Sequence, residues 1–246
     1  MANERLRKAM VTAQKTIEDL SQTTGVNEKT VQRWLGGRVP HARHRWAVAN
    51  LLGEDERFLW PATERELQPG AATTAEVIAT YAHRVDVPAS QWWDLLVGAK
   101  RQIDLLGYAM LFLPEAHPRL IDLLRGKAAA GCSIRIALGD PDSAQVAERD
   151  GEERLNGSLV SRIHNSLMHF RGVLDCEGVD VRVYAAPLYN SVFRFDDEMF
   201  VTPHLYGTPG SWAPVLHLRR LGGGGIFDRF ATHVDAVWAI SHPWKP

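Results

Sequence analysis

Between Thr16 and Gly37 the chain carries paired start and stop signals for two helices too short to stand alone. Thr16 is an N-cap residue with Asp19 three positions on, a capping-box arrangement. Gly25 is placed to close the first helix in the left-handed conformation. Asn27 caps the second helix and Gly36-Gly37 ends it. These signals predict helices over 17–24 and 28–35 with a sharp turn between them. Leu20, Val26 in the turn, and Val31 with Trp34 three positions later give the pair one shared apolar face. Ser21 is small where the two helices must cross closely. Further helices over 3–13 and from Pro40 to 52 complete an all-α bundle over 1–62.

The face left over is polar and basic. Residues 1–50 hold nine Lys or Arg against four Asp or Glu, a balance of +5 in a chain whose net charge is −1, so the remainder carries −6. A basic end on an acidic chain points to a polyanion partner for that end. Asn27, Glu28, Lys29, Thr30, Gln32 and Arg33 lie on the exposed side of the second helix, and Arg38, Arg43 and Arg45 follow it. The stretch TIEDLSQTTGVNEKTVQRWLGGRVP, with AVANLLGEDERFLWP beyond it, resembles the Xre, or lambda-repressor-like, helix-turn-helix family, with Ser21 where Ala is common. That resemblance implies a double-stranded DNA operator as partner and a homodimer as its reader. Thr16, Asn27, Glu28, Lys29, Thr30, Gln32 and Arg33 are then expected at bases or adjacent phosphates. Arg38, Arg43 and Arg45 are expected on phosphates, which position without specifying.

A linker is expected over 63–87, where Pro69-Gly70 follows Trp60-Pro61. From 88 to 246 the pattern alternates. Helices are expected over 90–100, 117–130, 155–176 and 227–240. Strands are expected over 103–108, 133–138, 179–184, 191–195, 199–202 and 215–221. The fold class is α+β multidomain: a helical head, then an α/β domain with a mixed sheet.

Within that domain, YNSVFRFDDEMFVTPHLYG resembles the strand-turn-strand of the phospholipase D superfamily. There a His, a Lys two residues later and an Asp five beyond it form the active motif. The alignment places Asn190, Val192 and Asp197 at those positions. The resemblance implies that the usual catalysis is lost, because an Asn cannot replace the nucleophilic imidazole. The expected role is therefore dimerisation and sensing of a small anionic or polyhydroxyl effector, a plan similar to some archaeal sugar-responsive regulators. Strand alternation groups Asn190 with Arg194, and His217 with Arg219. With Asp197 and His204 these are expected to line one effector cleft. The competing expectation is a DNA-targeted phosphodiesterase or nuclease in which His204 or His217 supplies a non-standard nucleophile.

Other features carry less. Cys132 and Cys176 fit no metal spacing, and His164 with His169, five apart, make no metal pair, so no metal or cofactor is expected. Gly222–Gly225 precedes a helix but lacks the Gly-Lys-Ser ending of a nucleotide loop, and a simple turn is expected there. Trp92-Trp93 reads as core and interface and not as a stacking platform. The N-terminus has no apolar signal core and the longest apolar stretch, 105–113, is too short to span a bilayer, so a cytoplasmic protein without membrane contact is expected.

Overall fold

The computed structural model describes residues 2–60 and 76–246. They divide into two units: the chain up to Glu76 together with Arg220–Gly225, and Val77–Arg219 together with Ile226–Pro246.

Five helices build the first unit: α1 (Glu4–Thr12), α2 (Ile17–Thr24), α3 (Glu28–Leu35), α4 (Ala42–Leu52) and α5 (Glu56–Leu59). The capping box at Thr16 and Asp19 is formed in both directions, and Gly25 closes α2 at φ 68°. The Asn27 side chain accepts the Thr30 amide at the start of α3. Ser21 does more than leave room. Its hydroxyl donates to the Val26 carbonyl at 2.5 Å and ties the turn to α2. Leu6, Leu20, Val31, Val48 and Leu59 are fully buried, with Trp34 and Trp60 beside them. Leu221 belongs to the same apolar cluster.

Part of the linker expected over 63–87 lies outside the described residues, and its end is structured. Strand β1 (Val77–Tyr81) and a 3-10 turn (Arg84–Asp86) replace it. The second unit continues α6 (Ala89–Gly98), β2 (Gln102–Leu106), α7 (Phe112–Ala116), α8 (Leu120–Ala129), β3 (Ser133–Gly139), α9 (Ala144–Glu152) and α10 (Ser158–Phe170). Then follow β4 (Val179–Tyr184), β5 (Asn190–Phe195), β6 (Glu198–Pro203), β7 (Val215–Arg219), α11 (Ile226–Ile240) and β8 (His242–Pro243). The expected 117–130 helix forms as α8 but starts at Leu120, and the expected 155–176 helix gives way after Phe170 to a 3-10 turn, Arg171–Val173.

The strands make one sheet in the order β1-β7-β6-β5-β2-β3-β4-β8, parallel where β2, β3 and β4 meet and antiparallel elsewhere. Register assigns the faces. Leu105, Phe193, Phe200 and His217 are successive cross-strand partners and share one face. Asp104, Arg194, Met199 and Leu218 are the neighbouring set and share the other. Trp92 of α6 covers the first face, its ring 5.0 Å from Phe193 and 4.5 Å from Phe200. Helix α11 covers the second, with Phe227 beneath Arg194 and Trp238 beneath Arg135 and Arg182.

Candidate functional site

Two surfaces carry chemistry, one in each unit. In the first unit the packing of Val31, Trp34 and Leu35 inward fixes which side of α3 faces out. Glu28, Lys29, Gln32 and Arg33 are exposed, as are Thr16, Asn27, Arg38 and Arg43. Thr30 is half-buried, and its hydroxyl donates to Asn27 Oδ1 at 2.8 Å, so it is occupied by the cap. Arg45 does not join this surface. Its Nε sits 2.6 Å from a Glu56 carboxylate oxygen and its NH1 bonds the Pro40 carbonyl.

In the second unit the six residues expected in one cleft are divided by the sheet. Arg194 lies on the face under α11, its Nε donating to the Asp196 carbonyl and NH1 3.6 Å from the buried Asp104. Asn190 shares that face by alternation. His217 lies on the opposite face, buried between Gln91 at 3.2 Å and Glu198 at 3.0 Å. Arg219 pairs with the same Glu198 at 3.6 Å. Asp197 sits in the β5–β6 turn, bound to Arg101 at 2.6 Å. The physical reason is the period of two: Arg194 pairs with Met199 and His217 with Phe200, so a single step along β6 separates the faces. The expected cleft of Arg194 with His217 does not form. The Gly222–Gly225 turn offers no phosphate cradle either, because a carbon added at Gly225 would collide with the Glu76 carboxylate.

Of the six, His204 alone lines a cavity beside β5 and β6 in this unit. This cavity of 420 Å³ opens on the first face of the sheet, between β5, β6, the loop after β2 and helix α10. Its β5 wall is Ser191 and Phe193, one position out of step with the expected register. Shifting by one puts Tyr189, Ser191 and Asp196 where the motif has His, Lys and Asp. Neither register supplies the imidazole nucleophile or the lysine.

What the cavity has instead is a Ser–His pair. Ser191 Oγ and His204 Nε2 are 2.9 Å apart, and His204 Nδ1 is 2.8 Å from the Leu188 carbonyl. The imidazole stacks on Tyr108, centroids 5.5 Å apart. Burial pulls its pKa down to about 4; the Leu188 bond opposes that, and Arg149 and His233 add to it. Gly107 makes the pair possible, since a carbon added there would stand 3.1 Å from Ser191 Oγ and 2.7 Å from Met110 Cγ. Met110 itself holds φ 59°, an uncommon conformation for a non-glycine residue in a buried loop.

Arg84 and Arg162 supply positive charge to the same cavity. Arg84 lies over the Phe112 ring at 3.7 Å and donates to the Gly210 carbonyl at 3.0 Å. Burial lowers its pKa to about 10, with Glu153 opposing and Arg162 adding to the fall, so it stays a cation near neutral pH. The Thr202 hydroxyl is buried in the wall and has no hydrogen-bond partner among the described residues. Arg84, Ser191, Thr202 and Arg162 were not singled out from sequence.

Among the described residues no helix is long and apolar enough to cross a membrane. Residues 73–242 match the model of a family described as a domain of unknown function, DUF5919. No curated protein matches the chain. Among the solved structures that match in part are two of different kinds. TrmBL2, an archaeal chromatin protein whose structure is described as showing a novel mode of DNA binding, aligns at 11% identity and TM-score 0.44 over 88% of this chain. This chain spans 66% of that protein's length. Nuc from Salmonella typhimurium, a phospholipase D family member, aligns at 12% identity and TM-score 0.36 over 63% of this chain and 91% of its own.

Proposed function

The chain belongs to the DUF5919 family, whose match over 73–242 takes in most of the second unit and none of residues 2–60, and we propose that it is a DNA-binding regulator whose helical head reads double-stranded DNA. One observation carries this reading. Helix α3 is held by its cap and three buried side chains so that Lys29, Gln32 and Arg33 project together, and Arg38 and Arg43 beyond it are exposed. A short helix with an exposed polar N-terminal half fits the major groove, and flanking arginines fit phosphates. The second unit then serves as the sensor, with its cavity as the effector site. The chain acts as a two-fold dimer, the arrangement that matches paired half-sites.

Selection from a random duplex library tests the reading. The full chain enriches a defined sequence, and sedimentation of the complex shows two copies per site. Enrichment of no sequence, with binding that depends on salt alone, contradicts it.

The competing reading, a phosphodiesterase, is favoured only by the 2.9 Å Ser191–His204 contact. A nucleophile of that kind needs a base whose imidazolium a third, charged group stabilises, and burial holds His204 at a pKa of about 4. The group behind His204 is the neutral Leu188 carbonyl. The regulator reading therefore stands first.

A further inference from the structure

The hydrogen-bond directions inside the second unit's cavity specify more than a pocket. The Leu188 carbonyl only accepts, so His204 Nδ1 carries the proton. The buried ring is neutral near pH 7, which leaves Nε2 as a lone pair. Ser191 must then donate its hydroxyl proton to Nε2. Its own lone pairs remain for the cavity, so toward a ligand Ser191 is an acceptor.

The rest of the wall adds two cations and a hydroxyl, together with the carboxylates of Glu115 and Glu153. Among the described residues neither Arg84 nor Arg162 has a carboxylate within ion-pair distance. Both acids that line the cavity have other claims on them: Glu153 is held by Arg149 at 2.6 Å, and Glu115 is exposed to solvent. The N-terminus of α10, close to Arg162, is not an anion site, because Asp150 already accepts the Gly157 and Leu159 amides. Thr202, 2% exposed, faces the cavity with an unpartnered hydroxyl. Two guanidinium groups and a buried hydroxyl together match the charge near −2 and the several acceptor oxygens of a phosphate monoester.

We infer that the cavity binds a hydroxylated phosphate monoester, its phosphate on Arg84, Arg162 and Thr202 and one of its hydroxyls donating to Ser191. This rests on the reading of the second unit as a sensor, and it names the ligand class.

Titration calorimetry on the full chain tests it with three probes: glycerol phosphate, inorganic phosphate and glycerol. Glycerol phosphate binds best, inorganic phosphate binds more weakly, and glycerol gives no heat. Arg162 is exposed, so R162Q leaves the fold intact and weakens both anions by about tenfold or more. Ser191→Ala removes the acceptor and brings glycerol phosphate down to the level of inorganic phosphate. The inference fails if neither anion binds at about 10 mM, if glycerol binds as well as glycerol phosphate, or if R162Q binds like the parent. It also fails if a fluorophosphonate labels Ser191, since that marks an activated nucleophile. Binding without any change in DNA affinity leaves the site standing and sinks the sensor reading. DNA binding that persists in a chain with no anion site does the reverse.

Discussion

The buried imidazole of His204 makes acid the most informative perturbation of the second unit. In the folded chain its pKa is about 4, against about 6.5 for an unperturbed histidine. The sign follows from proton binding. Between these values the unfolded chain takes up a proton that the folded chain refuses, so stability falls as pH drops from 6.5 and levels off below about 4. The gap of about 2.5 units at about 1.4 kcal/mol each gives a loss of about 3 kcal/mol. Other histidines lowered by burial, His44, His117 and His233, contribute in the same direction. The comparison must therefore be with a variant. His204→Asn keeps a donor toward the Leu188 carbonyl and cannot take up a proton. The assay is urea unfolding at pH 7.5 and stepwise down to about pH 4, read by pulsed hydrogen exchange at the β5 and β6 amides so that the head's own transition does not enter. The parent loses about 3 kcal/mol relative to H204N over that range. Parallel curves for the two proteins would refute the argument, because they would show that His204 protonates in the folded chain without penalty.

Three other outcomes follow from the geometry. Lys29→Ala or Arg33→Ala each weaken binding to the selected duplex by about 1–3 kcal/mol and relax sequence preference, read by competition against altered duplexes. Arg43→Ala weakens all duplexes alike and lowers the slope of log affinity against log salt by about one, read by fluorescence anisotropy. Asp196 accepts the Lys100, Arg101 and Gln102 amides at 2.8, 2.9 and 2.8 Å, so Asp196→Ala costs about 3 kcal/mol or more in urea unfolding of the second unit.

The head was legible because its signals are local. Thr16, Gly25 and Asn27 act on backbone within three residues, and α2 and α3 fall where those residues place them. The second unit shows where locality ends. Strands β4, β5 and β7 follow their apolar patterns, but the sheet order β1-β7-β6-β5-β2 is a long-range result that no segment states by itself. Arg84 lay in an expected linker because the short β1 before it gains its stability from pairing with β7, 138 residues from Val77 to Val215 along the chain. The cavity was misplaced by one residue. The turn Asp196-Asp197 sets Ser191 opposite Thr202 and His204 diagonally beyond it. The left-handed Asp196 at φ 55° marks that turn, and Asp-Asp in the sequence was the signal that could have fixed the register. Arg194 was misread because alternation tells which residues share a face and not which face meets a cavity. Helix α11, arriving 32 residues after Arg194, decides that.

The central claim is that α3 is the surface that meets DNA. Hydrogen exchange of the full chain, free and bound to its selected duplex, tests it directly. The account predicts slowed exchange in peptides covering residues 27–38, and in those covering Arg43, at duplex concentrations that saturate binding. Unchanged exchange over 27–38, with protection confined to the second unit, would contradict it.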